Sequence, residues 1–305
     1  MRQKHVIFLF SYWICEILQL ICIIGFLSSK PLRQEPFTIV AVTIAVCDFL
    51  VLLTPAVAQF VYVFLGLGIL RCSSGLERFG ELFAKFSDHP YYASLMCSAV
   101  LYTLLGLIRF LSIFQPLFMR QFAGRRLIFA LISVSALPAL LVVTVLKFFG
   151  ASRCDFCRDR YFPNLMLETV YSYWSACFLF LGLIIFIPTW LGTKLHRQKL
   201  RQLSKSEEDL VAELKLFSQC FISFGVFTIL LVQQVLLRWL NRWASDDFMF
   251  YFWASFDVVR FVYGISHPIL HFCTNPQFRR HVVESKKSQT TVLYLGSTTG
   301  THTHN

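Results

Sequence analysis

Charged side chains are scarce in this sequence. Asp, Glu, Lys and Arg make up only 15% of its 305 residues, whereas they make up about 25% of a soluble globular chain. Apolar residues reach 56%, above the roughly 45–50% of soluble domains. A chain of this length cannot hide such an excess within one water-soluble core. The composition therefore excludes an ordinary soluble protein and indicates one that lies in a lipid bilayer.

Groupings of residues that carry catalysis, metal binding or nucleic-acid recognition are missing as well. The net charge is +11, but the basic residues are scattered between apolar runs, which disfavours a nucleic-acid interface. The histidines of the loops and termini are equally scattered, so no convergent set of acids, bases or metal ligands emerges. We therefore expect no enzymatic activity, no cofactor, no metal site and no nucleic-acid partner.

Seven apolar runs recur along the chain, each of the length that a membrane-spanning helix needs, about 20 residues. Charged residues or Gly and Pro breaks bound each run. We predict an all-α membrane protein, a seven-transmembrane helix bundle within residues 1–284, and a disordered cytoplasmic tail over residues 285–305. The predicted spans are Val6–Ser28, Phe37–Leu65, Pro90–Phe114, Leu127–Gly150, Leu167–Leu191, Val211–Leu240 and Phe248–Cys273.

The distribution of Lys and Arg between the short loops predicts the orientation. With the N-terminus outside, basic residues crowd the inner loops, and the third of these contains the basic stretch "HRQKLRQ". Most basic residues of the outer loops share their loop with Asp or Glu. The excess of positive charge on the inner side therefore places the N-terminus outside and the C-terminus in the cytoplasm of a multi-pass plasma-membrane protein.

Few ionisable residues interrupt the apolar runs. Such residues are costly in lipid and usually face the bundle interior or a cavity. Asp48 lies in the middle of the second run, where it either has a function or is a tolerated polar group that a neighbouring helix satisfies. Asp257 and Arg260 are three residues apart and can pair along one helix face. Their pairing is either part of a binding site or an internal ion pair that lets a polar helix pack.

Three short motifs resemble those of the rhodopsin-like (class A) G-protein-coupled receptors, and they fall on the expected spans in the expected order. "AVCDFLVLLTP" keeps the acid of the second helix as Asp48. "IRFLSIFQP" keeps the arginine and proline of the third helix as Arg109 and Pro116. "HPILHFCTNPQFR" keeps Pro268 and Asn275 of the seventh helix and the segment after it. The resemblance implies a cell-surface receptor that binds an extracellular small molecule and activates a heterotrimeric G protein.

The departures from these motifs point to a divergent member. Ile108 and Phe110 flank Arg109 where the family has an acid and a tyrosine, and His267 and His271 replace an asparagine and a tyrosine. The sixth span has no proline. With these altered motifs and its many phenylalanines, the sequence is similar to the nematode serpentine chemoreceptors. A divergent neuropeptide receptor shares these features, and a ligand-gated channel or a transporter is the alternative from another class.

The resemblance implies a role for several residues in G-protein coupling and activation. Arg109 would contact the G protein or hold the closed state by pairing with Glu213, at the start of the sixth span. Pro268 would bend the seventh helix, since proline lacks an N–H group. The places of Pro116 and His271 in the motifs imply that they too take part in coupling and activation.

A polar pocket is also implied, formed by Asp48, Ser98 and His267. In the family these positions surround a small pocket that often holds a sodium ion. Because imidazole can carry a positive charge of its own, we predict that protonated His267 takes the place of the ion and pairs directly with Asp48. The alternative is a neutral His267 bonded to backbone.

Ligand-binding candidates lie in the outer halves of the spans. For the three of them on the third span, the alternative role is ordinary helix packing. They are Tyr91, Tyr92, Ser94, Gln233, Gln234, Asp257 and Arg260.

Three cysteines fall in predicted outer loops, namely Cys72, Cys154 and Cys157. The family ties the top of its third helix to the second outer loop by a disulfide, which implies a bond from Cys72 to Cys154 or Cys157. The spacing in "CDFC" is also that of a redox or zinc pair, but no second ligand pair accompanies it.

The segment after the seventh span begins with a helix-start signal. Asn275 is a good N-cap, and Pro276 suits the first helical position. We predict a short amphipathic helix on the cytoplasmic leaflet. The Ser- and Thr-rich tail beyond it is predicted to be disordered and phosphorylated, which would give an arrestin-like partner negative charge to bind.

Overall fold

The computed structural model describes residues 2–28, 36–115, 125–146, 153–155, 160–162, 165–202, 207–240, 246–275 and 278–279. These residues form seven long helices and one short β-hairpin, so the predicted all-α bundle of seven helices is confirmed. The helices are α1 (Arg2–Ser28), α2 (Pro36–Gly66), α3 (Ser74–Phe114), α4 (Arg125–Leu146), α5 (Leu165–Gln202), α6 (Glu207–Leu240) and α7 (Asp246–Thr274).

Each predicted span lies on one helix, except that the end of the fourth, residues 147–150, lies outside the described residues. The main difference is that several helices extend further. The third begins at Ser74 rather than Pro90, and the fifth continues to Gln202. Six helices, α1 to α6, contain stretches that are long and apolar enough to cross a membrane. The apolar sequence of α7 is interrupted by polar side chains, which lowers its hydropathy although it is as long as the others.

Helix α3 lies at the centre of the bundle and contacts α2, α4, α5 and α6. Helix α7 packs against α1, α2 and α6. The helices bury one side and expose large apolar side chains on the other, as Tyr12 (buried) and Ile14 (51% exposed) show on α1. This arrangement suits a bundle that lipid surrounds, because the apolar outer surface then needs no protein partner.

The two ends of the bundle are named here by the chain. The N face is the end at which α1 and α7 begin, and the C face is the end at which α7 finishes. At the N face, β1 (Arg153–Asp155) pairs antiparallel with β2 (Arg160–Phe162), and β1 packs against α3. Sequence patterns did not indicate this hairpin, since each strand has only three residues.

Cys72 lies just before α3 and is disulfide-bonded. Every cysteine of the membrane spans is free. The side chains of Cys154 and Cys157 lie outside the described part of the chain, so both the bond from Cys72 to one of them and the choice between the two stay predictions.

At the C face, the side chain of Asn275 caps the segment after α7. Its Oδ1 accepts a hydrogen bond from the backbone N–H of Phe278 at 3.0 Å, which is the predicted N-cap bond. Phe278 is buried against Cys22 and Phe26 of α1. The rest of the predicted surface helix and the tail 285–305 lie outside the described residues.

Gly264 allows α7 to approach α1 and α2 closely. A Cβ atom at this position would lie 2.7 Å from Cδ1 of Leu52 and 2.8 Å from Sγ of Cys15. The carbonyl of Gly264 also accepts a hydrogen bond from Nε2 of Gln19 at 2.9 Å. Contacts this short require a glycine, because any side chain would push the helices apart.

We predict that Gly264→Ala destabilises the bundle by about 1–3 kcal/mol, the usual cost of overpacking. The measurement is thermal unfolding of the purified protein in detergent. Gly225→Ala in α6 is the matched control, because a Cβ atom there would meet nothing within 4 Å. Equal unfolding midpoints for the two variants would show that this helix contact is not tight.

Candidate functional site

Five polar residues succeed one another along α7 at intervals of three or four. They are Asp257, Arg260, Tyr263, His267 and His271. Such spacing places side chains on one face of a helix, and this face points into the bundle, where each of the five is buried or half-buried. We call these five residues the polar stripe. Their partners lie on α1, α2, α3 and α6.

The part of the stripe nearest the N face holds an ion pair with a loose geometry. Nη1 of Arg260 lies 3.9 Å from Oδ1 of Asp257, which is too far for a hydrogen bond. The same Oδ1 accepts a hydrogen bond from the hydroxyl of Tyr12 at 2.6 Å. The guanidinium carbon of Arg260 lies 4.0 Å from the ring centre of Phe256, a cation–π distance.

Tyr91 of α3 connects this ion pair to α6. Its hydroxyl oxygen accepts hydrogen bonds from Nη2 of Arg260, at 2.8 Å, and from Nε2 of Gln234. Five residues thus meet, and we call them the Arg260 cluster: Tyr12, Tyr91, Gln234, Asp257 and Arg260. Sequence reasoning missed Tyr12, because a tyrosine within an apolar run carries no pattern of its own.

The other ligand-binding candidates lie beside the cluster rather than within it. Tyr92 packs edge-on against Tyr91 and Tyr171, with ring centres 5.2 and 5.4 Å apart. Ser94 is buried in α3. Gln233 points to Ser255, at 3.4 Å.

Tyr263 occupies the middle of the stripe and bonds to Asp48. Its hydroxyl donates to Oδ1 of Asp48, which is fully buried in α2. The phenol of Tyr102 on α3 lies close to that of Tyr263. The side chain of Asp48 therefore connects α2 to α7, next to α3. Ser98 of α3 is fully buried close by, beside Cys47 of α2.

The predicted direct pair between Asp48 and His267 is wrong. His267 instead bonds to His271, with the two Nε2 atoms 3.0 Å apart, and its Nδ1 has no partner among the described residues. The neutral phenol of Tyr263 gives one oxygen of the buried acid a partner without bringing a second charge out of water, which is costly; Oδ2 of Asp48 has no partner among the described residues. Tyr263 lies one turn before His267 on the same helix face, so it competes for the same acid.

His271 connects the stripe to α6 through Gln219. Oγ1 of Thr274 lies 2.5 Å from Oε1 of Gln219 and 2.6 Å from the carbonyl oxygen of Leu270. Nε2 of Gln219 lies 2.8 Å from Nδ1 of His271. The amide of Gln219 therefore bridges Thr274 to His271, and the one proton of the Thr274 hydroxyl has two acceptors within reach.

A small cavity of about 10 Å³ adjoins the two histidines. This is at the lower limit of the space that one water molecule needs. It is bounded by α2, α3, α6 and α7. The lining residues are Ala41, Tyr102, Leu105, Gln219, Cys220, Ser223, His267 and His271.

Arg109 lies near the C-face end of α3 and is half-buried. Its guanidinium interacts with the thiol of Cys220 on α6. The side chain of Glu213 and all of Pro116 lie outside the described residues, so the pairing of Arg109 with Glu213 stays a prediction. Pro268 is buried within α7.

Similarity to a known protein family extends over most of the chain. Residues 6–288 match the model of the family described as serpentine type 7TM GPCR chemoreceptor Srv. No curated protein matches the chain. The family match covers nearly the whole sequence and agrees with the seven-helix bundle. The chain therefore belongs to the Srv family of serpentine seven-transmembrane G-protein-coupled chemoreceptors.

Proposed function

We propose that this receptor binds an extracellular small-molecule cue at the Arg260 cluster and activates a heterotrimeric G protein at its C face. The observation that supports this most directly is the polar stripe, which runs from the cluster to the end of α7. In this proposal the N face is extracellular and the C face is cytoplasmic, as the loop charges predict.

The Arg260 cluster is suited to ligand binding by its place and chemistry. Side chains from α1, α3, α6 and α7 converge there, so a bound molecule would contact four spans at once. Ionisable groups inside a membrane protein are costly and usually mark a functional site. About 14% of each side chain of Asp257 and Arg260 stays accessible, so the cluster is not sealed.

The C-face end of the stripe acts as a latch between α6 and α7. Gln219 is bonded to both His271 and Thr274, and these bonds hold the two helices together. Entry of a G protein requires the cytoplasmic ends of the spans to separate, so the bonds stabilise the resting state. Arg109 is next to Cys220, directly beside this latch.

The alternatives differ in the ligand and in the event that its binding triggers. A divergent neuropeptide receptor of the same fold would take a peptide at the N face. A channel or transporter would conduct or carry its ligand without a G protein. An arrestin-like partner for the tail is a further part of the proposal.

We predict that Arg109→Ala abolishes G-protein coupling and leaves surface expression unchanged, because the guanidinium acts at the cytoplasmic end of α3. Coupling is measured in cells with a panel of volatile, small polar and peptide compounds. Arg78→Ala, an exposed arginine at the other end of the same helix, is the matched control. Normal coupling in Arg109→Ala would show that Arg109 has no role in coupling. A native receptor that is well expressed but activates no G protein with any compound would contradict the proposed function.

We predict that Gln219→Leu raises basal coupling by about five- to a hundredfold, since it removes two hydrogen bonds that are each worth about 0.5–1.5 kcal/mol. Thr274→Val should raise it less, because one of the two bonds of Gln219 remains. Basal nucleotide exchange in membranes measures both. Thr43→Val is the control, because among the described residues that hydroxyl bonds only to Ile39 of its own helix, at 2.9 Å. Unchanged basal exchange in Gln219→Leu would show that the latch does not restrain α6.

A further inference from the structure

We propose that the cue carries a carboxylate group, which binds to the guanidinium of Arg260 and the hydroxyl of Tyr91. This inference rests on the proposed function and specifies the chemical class of its ligand. It is drawn from the hydrogen-bond donors that the Arg260 cluster leaves unused.

The guanidinium of Arg260 is poorly satisfied for a group buried in a membrane protein. It has five N–H donors in a fixed fork. Within the described part of the chain its one hydrogen bond of ordinary length is to the hydroxyl of Tyr91, and the hydroxyl of Tyr12 also lies close to it. Its distance to Asp257, 3.9 Å, gives electrostatic attraction without a hydrogen bond. The Nε atom is buried and has no partner among the described residues.

Tyr91 presents a second unused donor at the same place. Its oxygen already accepts hydrogen bonds from Arg260 and Gln234. A hydroxyl has one proton to donate and two lone pairs with which to accept, so the proton of Tyr91 points away from both donors. No residue that the structure describes accepts this proton.

The Nε–H group of Arg260 and the O–H group of Tyr91 are both donors, and they require an acceptor. A carboxylate has two oxygens in the spacing that the guanidinium fork binds in a bidentate manner. Binding would give Arg260 the short, charge-assisted bonds that Asp257 does not supply. Asp257 meanwhile stays bonded to Tyr12, and its charge keeps the empty site electrically balanced.

An amine or a purely apolar cue fits the cluster less well. An ammonium group would have to approach the arginine cation. It would also compete with Tyr12 for an oxygen of Asp257 that already accepts a bond. An apolar cue would leave the Nε–H group of Arg260 and the O–H group of Tyr91 buried without partners, which is costly in low dielectric.

The test compares short- and medium-chain monocarboxylates with their own primary amides and with amines of equal length. Two readouts are used on the full-length receptor. One is G-protein activation in cells, and the other is the shift in unfolding temperature of the purified receptor in nanodiscs. The second readout detects binding without coupling. The variants are Arg260→Gln, Arg260→Lys and the control Arg78→Gln, which removes an exposed arginine from the N face.

We expect at least one acid to bind or activate about ten- to a hundredfold better than its amide, as charge-assisted bonds to a buried group would give. This preference should disappear in Arg260→Gln, weaken in Arg260→Lys, which keeps the charge but not the fork, and persist in Arg78→Gln. Tyr91→Phe should reduce it partially.

The outcomes separate this inference from the proposed function. Acids that raise the unfolding temperature through Arg260 without any coupling would support the ligand class and contradict the receptor function. Amines or neutral compounds that activate equally well in Arg260→Gln would support the function and overturn the ligand class. The absence of any acid-dependent shift in the native receptor would also overturn it.

Discussion

The polar side chains of α7 must find partners inside a bundle that is surrounded by lipid, and the arrangement of the other helices depends on this requirement. Asp257, Arg260, Tyr263, His267 and His271 cannot face hydrocarbon without a large cost. Each therefore bonds to a neighbour: Tyr12 of α1, Asp48 of α2, Tyr91 of α3 and Gln219 of α6, with His267 reached through His271. The stripe fixes the rotation of α7, and the close contact at Gly264 lets α1 and α2 come near enough to bond with it.

The same stripe explains why the motifs of this chain depart from those of the wider receptor family. Where a sodium ion would compensate the acid of the second helix, a phenol from Tyr263 now donates to Asp48. Where the family has an asparagine and a tyrosine, two histidines form a chain of hydrogen bonds that ends at Gln219. The departures are mutually consistent, because each replacement bonds to another residue of the same stripe or to its neighbour.

The helices and the cluster could be predicted from the sequence to different degrees. Apolar runs predicted the seven spans well, because length and hydropathy are local properties. The pairing of Asp257 with Arg260 was also accessible, since it depends only on spacing along one helix. The partner of Asp48 could not be predicted, because Tyr263 and His267 lie on the same face of α7 and differ only in their position along the helix axis. Tyr12 and Gln219 were missed for a related reason: their roles depend on contacts between distant parts of the chain.

The stripe connects the Arg260 cluster to the C face, and its middle residue offers the most direct test of that connection. Cys273, at the C-face end of α7, is exposed and free, as is Cys177. A trifluoromethyl label on Cys273, in receptor carrying Cys177→Ser, reports the state of that end by fluorine NMR in nanodiscs. We expect Tyr263→Phe to shift the label to a second population, whereas Thr43→Val should not. A spectrum of Tyr263→Phe identical to that of the native receptor would contradict the connection.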